Sequence, residues 1–204
     1  GDANTGITVS GSGTVGGTST GTITMGDVLM ANGVTLTVGA GAANQIDLDA
    51  ITGTAEGAVS SLTINSTGVV DVAEAVGTDI GTVTITNSGG TTFNSTVAAA
   101  TFTLTDTADA ATVSFLGNLT LSAGMTVSAL GRSDAFNVSL TGTTNSIAGA
   151  TTFFNTGTLT LGNGGTDATA FTGGVVATTQ TGATNGIVLN GDVTAAGTGV
   201  ITLG

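Results

Sequence analysis

The stretch GTVTITNSGGTTFNSTVAAATFTLTDT, residues 81–107, decides the fold, because apolar and small polar residues alternate along it. Val83 and Ile85 stand between threonines, and so do Phe102 and Leu104. A period of two is typical of β-strands with one buried face, and β-branched residues favour that pleated surface. Gly, Asn, Ser or Asp interrupts each burst after about four to six residues. The stretch therefore predicts short strands separated by tight turns.

The same alternation recurs along most of the chain. Strong bursts are LTIN at Leu62, LTLS at Leu119, NVSL at Asn137 and LTLG at Leu159. Weaker strands are expected around Val70 and Val72, Phe93, Val113 and Phe115, Met125 and Val127, and Phe153, with looser bursts at Ile7, Ile23, Val34, Ile46, Ile187 and Ile201. No segment predicts a helix, and VAEAVG (72–77) and STVAAAT (95–101) are interpreted as turn or strand.

The spacing of the bursts predicts a repeat architecture. The first inward residues recur at a nearly constant step, at Leu62, Val83, Phe102, Leu119, Val138 and Leu159. Two or three short strands in a step of about 20 residues describe one coil of a parallel β-helix, in which each coil buries its apolar edge on the next. Stacked at about 4.8 Å, such coils predict about ten coils and a rod of roughly 50 Å. The alternative is a series of β-sandwich modules, which usually have aromatic cores and edge prolines.

The composition excludes several classes of function. The chain of 204 residues contains no Cys, His, Pro, Trp or Tyr. Imidazole catalysis, disulfides and the commonest zinc ligands are therefore absent. One basic residue, Arg132, against 13 acidic residues gives a net charge of -12, which disfavours nucleic acids and anionic lipid surfaces. A polysaccharide-cleaving site would need several basic residues, so we predict that the chain is not an enzyme and has no catalytic or cofactor-binding residue. We also predict no membrane insertion of this segment.

The Thr-rich bursts, the Gly and Asn corners, the lack of Cys and the near-absence of Lys and Arg resemble bacterial β-strand-repeat surface proteins. These include autotransporter-like and two-partner-like adhesin passengers and surface-layer-like coat proteins. The resemblance spans the whole chain, but it rests on composition and transfers no functional residue. It implies a secreted, extracellular stalk or coat at the cell surface. A chain without Cys also suits passage through a membrane pore in the unfolded state.

The domain prediction is one continuous solenoid over residues 1–204, without an internal boundary. Since the final ITLG would lead naturally into a turn like the opening GDANTG, we expect a piece of a longer solenoid or polymer. The expected partners are further copies or neighbouring repeats of the same protein. The first functional hypothesis is a structural rod, filament or coat segment. The second is an adhesin that recognises a surface ligand through loops between strands.

Acidic pairs are the candidate metal ligands. Asp47 and Asp49 alternate with apolar residues, so we expect them on one outward face about 7 Å apart, where they could begin a calcium site. Asp106 with Asp109 and Asp71 with Glu74 are weaker pairs of the same kind. The GNGGTD segment at Gly162 resembles one copy of the calcium-binding nonapeptide of repeat toxins, which needs tandem copies. Solvated surface acids are the alternative, and no metal residue is predicted.

The Thr-x-Thr pairs raise a third hypothesis, ice binding by a flat threonine array. These pairs begin at Thr22, Thr35, Thr82, Thr101 and Thr158. Their irregular spacing favours ordinary solvent-facing threonine instead. Glycosylation sequons occur at Asn65, Asn94, Asn118 and Asn137, and such matches arise by chance in a chain rich in Thr and Ser. Arg132 and Asp134 are interpreted as a surface ion pair of little energetic value.

Overall fold

The computed structural model describes residues 6–128, 134–178 and 186–204, and over these ranges the protein is an all-β solenoid without a helix. The chain winds through about eight turns of roughly 23 residues. Within the described ranges there are 26 strands, numbered in chain order, and every pairing between neighbouring coils is parallel. The predicted parallel β-solenoid is confirmed, and the β-sandwich alternative is wrong.

Three sheets run along the solenoid, because each complete turn contributes one strand to each of them. Sheet A consists of β1 (Ile7–Val9), β4 (Val28–Met30), β7 (Ile51–Gly53), β10 (Val76–Gly77), β13 (Val97–Ala99), β16 (Leu119–Leu121), β19 (Thr144–Ile147), β22 (Ala168–Phe171) and β25 (Asp192–Thr194). Sheet B consists of β2 (Gly13–Val15), β5 (Thr35–Val38), β8 (Ser60–Asn65), β11 (Ile80–Asn87), β14 (Thr101–Leu104), β17 (Met125–Val127), β20 (Thr151–Phe153), β23 (Val175–Ala177) and β26 (Ile201–Leu203). Sheet C consists of β3 (Ile23–Met25), β6 (Ile46–Leu48), β9 (Val70–Val72), β12 (Thr91–Phe93), β15 (Thr112–Phe115), β18 (Asn137–Leu140), β21 (Leu159–Leu161) and β24 (Ile187–Leu189).

The predicted alternation places the apolar residues inside. In β14, for example, Phe102 and Leu104 are buried while Thr101 and Thr103 face outward. In a strand, successive side chains point to opposite faces, so every second residue enters the space enclosed by the three sheets. One continuous apolar core results, running along the solenoid from coil to coil.

The predicted constant step is partly wrong. Leu62, Val83 and Phe102 do stack in register in sheet B, as the first two intervals predict. Leu119, however, lies in sheet A, and Val138 begins a pair with Leu159 in sheet C. The intervals from Phe102 to Leu119 and from Leu119 to Val138 therefore connect residues of different sheets. The true partner of Phe102 in the next coil is Met125, which follows Leu119 in the sequence.

The longer coil also shortens the predicted rod. About eight turns replace the expected ten. At a strand separation of about 4.8 Å, the stack is roughly 40 Å long rather than 50 Å. The error arose because all three faces have the same alternation, so a burst in the sequence does not reveal the sheet to which it belongs.

Aromatic rings cluster at two places in the core. The rings of Phe93 and Phe115 stack with centroids 5.0 Å apart, and Phe102 contacts both edge-on at 5.8 and 5.0 Å. All three side chains are fully buried. A second pair, Phe153 and Phe171, meets edge-on at 6.2 Å. The mainly aliphatic core thus contains aromatic contacts despite the low overall aromatic content.

One corner between sheets B and C shows why glycine is required there. Gly39 has φ of +85°, and a Cβ built on it would lie 2.1 Å from the carbonyl oxygen of Asn65. Both the left-handed backbone and the close approach of the next coil exclude a side chain.

Candidate functional site

An open cavity lies at the corner where the chain passes from sheet B to sheet C. It has a volume of about 470 Å³ and is lined by Thr67, Asn87, Ser88, Asp106, Thr107, Ala108, Asp109 and Asp134. Successive coils connect the two sheets here through residues 88–90, 105–111 and the segment that ends at 136, so the loops differ in length. The longer loops carry the acids, which gives the cavity an acidic rim.

The floor of the cavity is a hydroxyl pair between adjacent coils. Ser88 and Thr107 are both buried, and their side-chain hydroxyls hydrogen bond to each other. Thr107 Oγ1 also donates to the carbonyl oxygen of Ser88 at 2.6 Å. The two hydroxyls therefore satisfy each other and one corner carbonyl, which indicates a structural role.

This pair belongs to a buried polar row at the B–C corner of six successive coils. The row consists of Asn44, Ser66, Ser88, Thr107, Ser128 and Asn155, which are all nearly inaccessible to solvent. Ser66 Oγ, for example, donates to the carbonyl oxygen of Ala42 at 2.9 Å, and Asn155 Nδ2 donates to that of Phe136 at 3.0 Å. Backbone hydrogen bonds also join adjacent coils at this corner, for example from the Thr67 N–H to the carbonyl oxygen of Ala42 at 3.0 Å. The side chains of the row add hydrogen bonds to backbone groups that lie outside the strand ladders. Sequence reasoning missed the row, although each member is a small polar residue close to the end of an alternating burst.

The acids at the rim are held by the loops themselves. Asp109 Oδ1 accepts from the Ala135 backbone N–H at 3.2 Å, and Asp134 Oδ2 accepts from Ser128 Oγ at 2.6 Å. The structure brings Asp106 and Asp109, the predicted pair, to the same cavity together with Asp134. Arg132, the predicted partner of Asp134, lies outside the described residues. No group of three or more acids in the described ranges could hold a metal ion.

Sheet C brings together acids that the sequence did not pair. Asp47 in β6 and Asp71 in β9 are neighbours in register on adjacent coils. Asp47 Oδ1 accepts from Gln45 Nε2 at 3.1 Å, and Asp71 Oδ1 accepts from Asn94 Nδ2 at 2.8 Å. Asp49 and Glu74 lie beyond the ends of these strands. The acids that stand directly opposite each other in sheet C are thus on adjacent coils rather than on one strand.

The GNGGTD segment forms a self-contained turn. Asp167 is 5% exposed, and its Oδ2 accepts from the backbone N–H groups of Asn163 at 2.8 Å and Gly164 at 3.0 Å. The carboxylate therefore closes its own loop between sheets C and A.

The sequon asparagines of three sites take part in corner hydrogen bonds. Asn137 donates through Nδ2 to Ala110 and accepts through Oδ1 from the Thr158 N–H at 2.8 Å. Asn118 Oδ1 accepts from the Thr144 N–H at 3.0 Å. Asn94 bonds to Asp71, and Asn65 ends strand β8. These contacts give Asn94, Asn118 and Asn137 a role in joining adjacent coils.

The threonines on sheet B form a registered array, which the sequence spacing concealed. The threonine file is the central outward row of sheet B, consisting of Thr14, Thr37, Thr63, Thr84, Thr103, Thr126, Thr152 and Thr202, with Val176 between the last two. A second row beside it, the flanking file, consists of Thr35, Ser61, Thr82 and Thr101. The predicted pairs at Thr35, Thr82 and Thr101 therefore do stack. The pairs at Thr22 and Thr158 adjoin sheet C instead.

No protein-family model matches the chain, and no curated protein or solved structure is similar enough to it to support a comparison. Within the ranges that the structure covers, no helix is long and apolar enough to cross a membrane. The structure alone therefore defines the class of this protein, which is a parallel β-solenoid.

Proposed function

We propose that the chain is a structural segment of a rod, filament or coat outside a bacterial cell. Its role is to provide length and stiffness through stacked coils, without catalysis. Its partners in this role are further coils of the same kind, from neighbouring repeats or from other copies. The supporting observation is the uninterrupted core, in which each coil is buried by the next one.

The last described coil shows how much this stacking matters. Leu161 and Val175 are each 1% exposed because Leu189 and Ile201 lie above them in register. Leu189 and Ile201 themselves are 52% and 40% exposed. Another coil with parallel strands has the shape and the backbone hydrogen-bonding groups to cover them. Head-to-tail contacts of this kind do not close, so they extend into filaments.

The composition permits a location outside the cell. The absence of Cys makes folding independent of the redox compartment, and a net charge of -12 keeps the exposed faces soluble. These features also match the resemblance to surface repeat proteins.

A matched pair of variants tests whether copies associate through the coil edge. Leu189 is in register with the buried Leu161 and therefore lies on the inward face of its strand, whereas Val188 lies on the outward face. Their exposures are nevertheless similar, at 52% and 49%. Leu189→Asp should reduce the concentration-dependent growth of assemblies in sedimentation velocity, because the charge would be buried at the junction. Val188→Asp adds the same charge and should leave assembly unchanged. Equal loss in both variants, or no assembly of the parent chain, would contradict the proposal.

A second candidate is an adhesin that uses the B–C loops. The observation that favours it is the acidic cavity, where Asp106 and Asp109 on the 105–111 loop meet Asp134 of the next coil. Such a site would select cationic surfaces. Replacing both residues by Asn should then abolish attachment to amine-coated beads, while Asp47→Asn with Asp71→Asn should preserve it. Equal attachment by both double variants would rule out this candidate.

A further inference from the structure

The exterior of sheet B differs from the rest of the molecule in regularity. The threonine file places a threonine at eight of nine successive levels of the sheet. Levels are about 4.8 Å apart, and the flanking file lies two residues along the strand, at about 6.6 Å. Over four levels the two files form a rectangular grid of hydroxyl and methyl groups.

The hydroxyls of the threonine file are free to bind a partner. Among the described residues, no hydroxyl of the threonine file makes a hydrogen bond to protein, whereas in the flanking file the hydroxyls of Thr82 and Thr101 bond to each other at 3.0 Å. Elsewhere, threonine hydroxyls bond to backbone carbonyls, as in Thr54 to Met30 at 2.9 Å and Thr141 to Phe115 at 3.1 Å. A hydroxyl can donate one hydrogen bond and accept two, so the file offers an unsatisfied donor and acceptor at almost every level.

Sheet B also lacks charge. None of its strands contains an acidic or basic residue, although the chain has 13 acids. The acids of the described residues lie instead in sheets A and C, as Asp192 and Asp47 do, or at corners such as that of Asp106. A charged polymer would therefore find no complementary group on this face, whereas a neutral hydrogen-bonding surface would meet no desolvated charge.

The size of the face argues against a second protein as the occupant. Nine strands of three to eight residues give a face about 40 Å long and roughly 10–13 Å wide where strands are shortest, or on the order of 500 Å². A stable protein interface buries about 800 Å² on each partner. A rigid, polar face of this size and repeat suits a partner that is itself a flat repeating lattice.

We propose that the threonine file binds ice. Every water in an ice surface both donates and accepts hydrogen bonds, so it matches a neutral grid of hydroxyls without charge selection. The methyl groups fill the gaps between hydroxyls, and the backbone ladder keeps the grid rigid, so little side-chain entropy is lost on binding. This activity would reside on the side of the rod and leaves the coil edges free for stacking.

The test compares two double variants of the full chain. Thr84→Lys with Thr103→Lys places two charges on the threonine file, where the residues are in register on adjacent coils. Ser139→Lys with Thr160→Lys places the same two charges on sheet C in the same geometry. All four positions are half-buried and outward, so the variants are matched in charge and strand propensity. Circular dichroism melting curves establish that both remain folded.

The readout is the freezing-point gap and the crystal shape of single ice crystals grown in protein solution. The parent chain should shape the crystals and open a gap that grows with concentration. The sheet B variant should lose both effects, and the sheet C variant should keep them. A parent chain that behaves like an equal mass of an inert protein would overturn the proposal, and so would equal loss in both variants. Sedimentation of the same samples identifies another occupant: a dimer that only the sheet B variant loses would assign this face to a second copy and refute ice binding.

Discussion

Removing the ring of Phe102 should destabilise the solenoid more than any change on its surface. The side chain is fully buried and touches the rings of both Phe93 and Phe115, which belong to the neighbouring strands of sheet C. A buried Phe→Ala change costs about 3–5 kcal/mol in total, which includes the lost contacts with neighbouring rings. The backbone ladders on both sides fix the walls, so the cavity cannot collapse, and we expect about 4 kcal/mol.

The assay is thermal unfolding followed by circular dichroism, with Phe154→Ala as the control. Phe154 directly follows β20 and is only partly buried, so its loss should cost much less. For a chain of this size, about 4 kcal/mol corresponds to a fall in Tm on the order of 10 °C. Because solenoids can unfold coil by coil, hydrogen exchange should show the loss of protection centred on β11, β14 and β17. An equal or smaller effect for Phe102→Ala than for Phe154→Ala would refute this description of the core.

Three further changes probe other parts of the structure. Ile85→Asp should unfold the middle coils, at a cost of several kcal/mol for the buried carboxylate, whereas Thr84→Asp next to it should cost under about 1 kcal/mol. Similar urea midpoints for the two variants would contradict the assignment of Ile85 as inward and Thr84 as outward. Asp167→Ala should cost about 1–2 kcal/mol because two backbone N–H groups lose their acceptor, whereas Asp192→Ala, at an exposed position, should be nearly neutral in the same melting experiment. Asp71→Asn should raise the free energy of unfolding by up to about 1 kcal/mol at low salt, because it removes a like-charge neighbour of Asp47. A gain in stability that does not shrink with added salt would disprove this electrostatic explanation.

The strands of sheets B and C could largely be predicted from the sequence, because their inward positions are apolar. Most of sheet A was missed. Its strands β19 and β22 place the polar residues Asn145 and Thr169 inside, so the alternation is hidden. Asn145 Nδ2 donates to Thr169 Oγ1 at 3.1 Å, and its Oδ1 accepts from the Leu119 N–H at 3.0 Å. These hydrogen bonds offset the cost of burying the two polar side chains, but no local sequence pattern indicates them.

Register could not be predicted for a related reason. Loops of different lengths at the corners change the interval between stacked partners, which is shorter from Val83 to Phe102 than from Met125 to Thr151. The threonine file and the Asp47–Asp71 pair both depend on that register. Each threonine was visible in the sequence, but their alignment on one face was not.

Electron diffraction from aligned assemblies of the chain tests the proposed role most directly. If coils stack end to end into a structural rod, the assemblies are filaments, and the strand spacing of about 4.8 Å appears along the filament axis. That result would show that the coil axis and the filament axis coincide. Particles that stay single at every concentration, or filaments with the strand spacing across their axis, would contradict the account.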